Sequence, residues 1–432
     1  MLVAIIVVFI LGYLCIALEN FLKINKAAIA LLTGVLCWTL YIFSQSEKEL
    51  VTSELIEHLG NLSQILFFLL GAMTIVELID AHDGFEIITR RITTKSKRKL
   101  IWIICFIAFF LSAVLDNLTT TIVMISLVRK LMTAREDRLV FSGAVIIAAN
   151  AGGAWSPIGD VTTTMLWIGG QITALNIIIK LILPSVVCLL APVLIMQFML
   201  KGEVQPYAEE TNDKETNDEE TEVLTETHKT IVFWTGLGIL LFVPVFKTVT
   251  HLPPFMGILL GLGILWVVVE MLHSGKDEAD RKTYTVAYAL RKIDASSILF
   301  FLGILLAISV LESTHQLAYL SRWMDTTLKD QNIIVMTIGL LSAIVDNVPL
   351  VAATMGMYSL EQFPQDHYMW EFLAYCTGTG GSVLIIGSAA GVAAMGIEKI
   401  DFMWYLKRIS WLALIGYFAG AIVYILQHRL FG

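Results

Sequence analysis

An Asp-Asn pair set inside apolar sequence, and present twice, constrains this chain more than any other feature. Leu111–Asn117 reads LeuSerAlaValLeuAspAsn, and Leu341–Asn347 reads LeuSerAlaIleValAspAsn. The repeat is wider than this motif. IleLeuPhePheLeu occurs at Ile65–Leu69 and again at Ile298–Leu302, and Gly152, Gly153 and Gly159 share their internal spacing with Gly380, Gly381 and Gly387. One half of the chain therefore repeats the other, and both halves keep a carboxylate in an apolar setting.

That setting is a membrane. Of 432 residues, 57% are hydrophobic and 15% charged, and the mean hydropathy is +0.77. These values exclude a soluble globular domain. Apolar runs of about 17–25 residues recur along the chain, the length that spans a bilayer as helix. No basic stretch suggests nucleic acid, and lipid is the expected surrounding partner. Cys15, Cys37, Cys105, Cys188 and Cys376 lie in apolar segments without zinc or redox spacing. The histidines fall in loops or near segment ends, with no cluster that suggests a metal site. Leu2–Leu18 lacks a basic leader and a cleavage site, and reads as a retained first helix.

Crossings are expected at 2–18, 27–44, 62–80, 139–172, 176–200, 231–247, 254–272, 296–313, 369–398 and 403–427, with 139–172 and 369–398 broken. Stretches 100–128 and 332–360 hold about 29 residues each, long for one crossing and too short for two. Arg90, Arg91, Lys95, Lys97, Arg98 and Lys99 precede the first stretch, and Arg129, Lys130, Arg135 and Arg138 follow it. Basic flanks stay on the cytoplasmic side, so this stretch enters and leaves there as a re-entrant hairpin. The second lies between Asp330 and Glu361 without basic flanks, and reads as a hairpin from the outside. Lys23, Lys26, Lys276, Arg281, Lys282, Arg291, Lys292, Lys407 and Arg408 mark inner ends, whereas Glu47, Glu49, Glu54 and Glu57 mark an outer loop.

The expected fold is an all-α membrane protein of two inverted repeats, with about ten transmembrane helices, two re-entrant hairpins, two broken helices and both termini periplasmic. The first repeat covers 1–200 and the second 230–432. Between them, 201–229 is rich in Asp and Glu and reads as a disordered acidic cytoplasmic linker. Inverted repeats with broken helices point to a secondary transporter whose site lies near the bilayer midplane.

The motifs suggest how such a site works. Asp and Asn are good helix N-caps, so Asp116 and Asp346 mark points where a helix restarts, and Pro349 falls just inside the second restart. Non-helical backbone at membrane depth survives only when buried in protein or lining a wet cavity. Asn150–Asp160 reads AsnAlaGlyGlyAlaTrpSerProIleGlyAsp and should open a helix, with Asn150, Ser156, Asp160, Thr162 and Thr163 lining the opening. In the second half Thr377–Ser382 opens the equivalent helix, and Ser388 stands where Asp160 would repeat. Three carboxylates, Asp116, Asp160 and Asp346, are thus expected at the site, offering the hard oxygen ligands that an alkali cation prefers, since acids inside membranes are costly and usually functional. Glu77 is a further candidate, for a proton path.

On SerAlaValLeuAspAsnLeuThrThrThr, on the stretch running from Asn150 to Thr164, and on SerAlaIleValAspAsnValPro, the sequence resembles the NhaD-type sodium/proton antiporters of the ion-transporter superfamily. The resemblance covers nearly the whole chain. It implies exchange of Na+ or Li+ for protons across the bacterial inner membrane, with no cofactor. It also implies that Asp116, Asn117, Asn150, Asp160, Thr162, Thr163, Ser342, Asp346, Asn347 and Ser382 are ion-site and transport positions. The wider superfamily implies a homodimer and an elevator-like motion. An arsenite or organic-anion carrier on the same fold is the alternative. An ion channel is disfavoured by the broken-helix repeats, and an enzyme by the lack of a nucleophile-base pair, metal set or nucleotide loop.

Overall fold

In hydrocarbon a chain must satisfy its own backbone, so apolar runs become helices and breaks concentrate where protein surrounds them. The structure, a computed structural model, describes residues 2–90, 92, 94–204, 226–274 and 282–431. Its helices are α1 (Leu2–Ala17), α2 (Lys26–Ser44), α3 (Lys48–Ala81), α4 (Lys97–Leu115), α5 (Asn117–Leu131), α6 (Arg135–Gly153), α7 (Val161–Ile168) and α8 (Ala174–Met199). After the acidic segment come α9 (Glu226–Thr250), α10 (Pro254–Leu272), α11 (Ala295–Ser313), α12 (Gln316–Leu328), α13 (Gln331–Leu341), α14 (Asn347–Met357), α15 (Tyr368–Gly380), α16 (Ala389–Glu398) and α17 (Ser410–Phe431). Short helices at Glu19–Leu22, Glu86–Thr89, Val286–Lys292 and Phe402–Arg408 connect them.

Among the described residues, eight helices are long and apolar enough to cross a membrane: α2, α3, α4, α8, α9, α10, α11 and α17. The outer surface agrees with a lipid setting. Val3, Leu32, Phe198 and Val249 are each more than 60% exposed, which water would penalise over so large an area.

The helices pack as two bodies. α1, α2, α3, α9, α10 and α11 pack chiefly on one another, with α2 against α11 and α3 against α10. α4–α8 and α13–α17 form the second body, with α8 against α17, α4 against α6, and α13 against α15. The bodies meet mainly where α11 touches α14 and α3 touches α7. Each body takes elements from both halves of the chain. All four helix interruptions, near Asp116, Gly153–Asp160, Ser342–Asp346 and Gly381–Ser388, lie in the second body.

The structure revises several expectations. α3 starts at Lys48, so Glu49, Glu54 and Glu57 lie on helix rather than in a loop; Glu54 accepts from the Tyr41 hydroxyl at 2.9 Å. Glu, Leu and Lys are good helix formers, and nothing before Gly60 interrupts them. α12 was not expected. It is amphipathic, burying Leu317, Ser321 and Met324 while exposing Tyr319 and Trp323, too polar to register as a crossing. The final stretch, read as one helix, divides at Ile409 into Phe402–Arg408 and α17. Residues 226–229 begin α9, and Lys229 is 8% exposed with ion pairs to Asp83 and Glu86. At the other end of the acidic linker residues 201–204 are also ordered, with Val204 N donating to Lys95 O at 2.7 Å and Ser96 bridged to Glu203; residues 205–225, along with Arg91, Lys276 and Arg281, lie outside the described residues. Histidines scattered in sequence come together: His82 and His273 place their Nε2 atoms 3.1 Å apart, and His228 stacks edge-on against His273.

Candidate functional site

Four helices restart at the breaks of the second body, and each is capped by a side chain from the sequence motifs. Asp116 Oδ1 accepts from Thr119 N at 2.7 Å at the start of α5. Asp160 Oδ1 accepts from Thr162 N at 2.8 Å at the start of α7. Asp346 Oδ1 accepts from Val348 N at 3.2 Å at the start of α14. Ser388 Oγ accepts from Gly391 N at 3.2 Å at the start of α16. A helix N-terminus favours negative charge, so three of the four breaks can hold an ionised carboxylate inside a membrane protein.

The two halves build their breaks alike. A methyl on Gly152 would overlap the carbonyl oxygen of Phe109, and one on Gly380 would overlap that of Gly339. Phe109 and Gly339 each lie two residues before the repeated Leu-Ser-Ala motif. The opened helix thus presses against the preceding arm at equivalent places, and only glycine permits the approach. The halves differ at the tips. Asp116 has φ 108°, a conformation L-residues rarely adopt, whereas Asp346 has φ −47°. The first tip therefore holds backbone strain of about 1–3 kcal/mol, of the kind that clusters at functional sites.

Asp160 is the hub. It is 2% exposed. Asn117 Nδ2 donates to its Oδ2, Thr162 Oγ1 donates to its Oδ1 at 2.7 Å, and Asn347 Nδ2 approaches Oδ1 at 3.5 Å. Asn117 Nδ2 also donates to Asn150 Oδ1 at 3.0 Å. Asn150 Nδ2 in turn donates to Ser382 Oγ at 2.8 Å and to Ser388 Oγ at 2.9 Å. Asn117, Asn150, Asp160, Thr162, Asn347 and Ser382, six positions named from sequence, thus join one buried network spanning both halves. Thr163 donates to the main-chain oxygen of Asp160 at 2.8 Å.

Ser342 is turned away, donating to the carbonyls of Gly339 at 2.6 Å and Thr377 at 3.1 Å. Asp116 also accepts from Thr119 Oγ1 at 3.0 Å, and Asp346 pairs with Lys26 at 3.2 Å. Both acids lie within electrostatic range of Asp160. Among the described residues no three His, Cys, Asp or Glu side chains are arranged to hold a metal ion together. Asp160 therefore sits within the amide-hydroxyl network, with Asp116 and Asp346 beside it, instead of the three acids forming one carboxylate cage. Glu77 lies apart on α3, near Asp80 and Lys292.

Four residues at the site are not singled out by the sequence. Ser388 was visible as the repeat partner of Asp160 but was not assigned to the site. Thr120 and Thr121 bury hydroxyls that find no partner among the described residues, in the first turn after Asp116. Lys26 looked like an inner-loop charge, and nothing local in the sequence ties it to Asp346.

Comparison with known proteins places the chain in a family. The profile of the citrate transporter family matches residues 13–378. The chain is 49% identical over 431 residues to "Sodium/proton antiporter 1" of Arabidopsis thaliana, covering 99% of this chain and 73% of the relative. It is 46% identical to "Sodium/proton antiporter 2" of the same plant, covering 97% and 98%. It is 29% identical to "Na(+)/H(+) antiporter NhaD" of Vibrio cholerae, covering 99% and 92%. A multi-pass membrane chain with Asp-capped helix breaks, matched along its length by these relatives, belongs to the citrate transporter family, within the NhaD-type sodium/proton antiporters of the ion-transporter superfamily.

Proposed function

We propose that this chain exchanges Na+, and Li+ as a close substitute, for protons, with cation and proton competing for the carboxylates of Asp116, Asp160 and Asp346. The observation that carries the reading is the position of Asp160: a buried carboxylate met by amides from the tips of both halves. Alkali cations take hard oxygen ligands. Here these would be one or two carboxylate oxygens together with the carbonyl oxygens of Asn117, Asn150 and Asn347, the hydroxyls of Thr162 and Ser382, and main-chain oxygens at the breaks. A sodium ion or a proton neutralises the same carboxylates, and either makes the site less costly to move through a low-dielectric layer. Ions then alternate on one site instead of flowing together.

The division into two bodies supports a carrier. The breaks all lie in the body of α4–α8 and α13–α17, which we read as the moving part, with the body of α1–α3 and α9–α11 as the frame. Opposed orientation of the two repeats would let the same elements serve both faces of the membrane. A homodimer would anchor the frame.

An organic-anion carrier, which the family description prompts, is the second reading. Four helix N-termini meet near the site and would suit an anion if their caps were neutral. Three of the four caps are aspartates, which repel such a cargo.

The test uses everted vesicles from cells lacking their own antiporters, carrying a pH gradient reported by a dye. NaCl or LiCl should dissipate the gradient with the native chain and not with Asp116→Asn or Asp160→Asn at equal membrane abundance. A gradient unaffected by either salt, or variants exchanging at native rates, would overturn the proposal.

A further inference from the structure

Lys26 is the first residue of α2, in the frame, yet its ammonium lies 3.2 Å from Asp346 Oδ2 at a break in the other body. The same ammonium sits over the ring of Phe300 on α11, 4.3 Å from the centroid. Its main-chain N–H donates to Glu19 Oε1 at 3.0 Å. A cavity of about 70 Å³ opens beside the pair, lined by Tyr13, Glu19, Lys26, Phe300, Asp346 and Pro349 among others. Both partners are largely covered, with side chains 25% and 16% exposed. The pair bridges the boundary between the two bodies.

We infer that Lys26 is a tethered competitor of the transported cation, holding ionised Asp346 against the frame until a sodium ion or a proton takes its place. The inference rests on the exchange reading above and deepens it. Lys26 is fixed to the frame, so its charge cannot travel with Asp346. A sodium ion or proton on Asp346 can. Either one removes the attraction between the bodies as it neutralises the acid, so the loaded body is released and the unloaded one is held. The displaced ammonium does not become isolated. The face of Phe300 attracts it, and the carboxylate of Glu19 is close to its own backbone. Lys26 is therefore a positioning residue that sets cation affinity and couples occupancy to movement.

The test uses the full chain in proteoliposomes, with sodium-driven proton movement followed at fixed pH. Lys26→Gln should lower the apparent KM for Na+ by at least about threefold, because the ion no longer displaces an ammonium, whereas Lys26→Arg should stay within about twofold of the native value. A role confined to stability would reduce protein amount and kcat without lowering KM. An unchanged or raised KM in Lys26→Gln overturns the inference. A second measurement needs no variant. Acylation of Lys26 in the native chain by a water-soluble amine-reactive ester, read by peptide mass, should rise at least about twofold when NaCl replaces choline chloride, as the freed ammonium becomes reactive. Labelling insensitive to Na+ overturns it. Native chain that fails to exchange at all overturns the function itself; native exchange with an unaltered Lys26→Gln overturns only the tether.

Discussion

Asn117 and Asn347, the second residues of the two repeated Asp-Asn pairs, reach opposite oxygens of a single carboxylate, that of Asp160. Two halves of the chain thus converge on an acid that only one of them carries. In the second half Ser388 takes the equivalent cap, and it joins the same network through Asn150. The site is symmetric in scaffold and asymmetric in charge.

Asn150 links the two halves, so Asn150→Ala should be costly. It leaves Ser382 Oγ without its donor and removes one of the partners of Ser388 and of Asn117, and loss of buried hydrogen-bond partners typically costs about 1–3 kcal/mol. We expect a lower melting temperature in detergent together with loss of exchange. Thermal denaturation followed by size-exclusion fluorescence checks the first, and the vesicle assay checks the second. A native melting temperature would show that the network bears little stability.

Thr121 offers a contrasting case. Its hydroxyl is buried without a partner among the described residues, so Thr121→Val should leave stability within about 0.5 kcal/mol of native or improve it, since nothing favourable is removed. If the hydroxyl meets the transported ion, the KM for Na+ rises while the protein remains as stable as before. An unchanged KM would place Thr121 outside the ion's path.

Gly380→Ala tests the packing of the opened helix. Its methyl would collide with the carbonyl oxygen of Gly339, which is backbone and cannot swing aside. Overpacking of this kind costs about 1–3 kcal/mol. Gly152→Ala should behave similarly against Phe109, and the two melting temperatures should fall together. A neutral Gly380→Ala would mean that the two arms are loosely held.

A pH-sensitive group, His82, follows the last residue of α3. Burial pushes the His82 imidazole below its ordinary value, and His228 adds to the effect; the Leu78 carbonyl and Asp83 oppose it. His82 Nδ1 donates to Leu78 O at 2.7 Å, and its Nε2 faces that of His273, with Tyr284 beside both rings. The unfolded chain therefore takes up this proton more readily than the folded one. The neutral ring's contribution is complete above about pH 6.5 and declines as pH falls through the lower folded-state value. His82→Gln should flatten the fall in melting temperature on acidification from about pH 6.5 to about pH 5. An identical slope in both proteins would remove His82 as the cause.

Much of this was legible in the sequence because membranes make local pattern decisive. Apolar length located seven of the eight described helices that are long and apolar enough to cross a membrane; the eighth, α4, reads in sequence as one arm of a re-entrant hairpin. Glycine and the Asp-Asn pairs located the breaks, since a carboxylate within apolar sequence has few stable uses besides capping an interrupted helix. The polar start of α3 and the whole of α12 were not legible. The start of α3 carries Lys48, Glu49, Glu54 and Glu57, and α12 carries Arg322 and Asp325, and hydropathy that detects an apolar crossing passes over segments so charged.

The sequence by itself determined that the chain is helical and membrane-spanning, where its helices break, and which polar side chains stand at the breaks. Those are consequences of nearest-neighbour chemistry along the chain. Only the tertiary structure decided which of those side chains meet. It turned Ser342 onto main-chain carbonyls, made Asp160 the common partner of two asparagines 230 positions apart, and brought Lys26 to Asp346 across 320. Such contacts depend on how two bodies pack, and the energy that sets them is shared over many distant apolar surfaces that no local motif records.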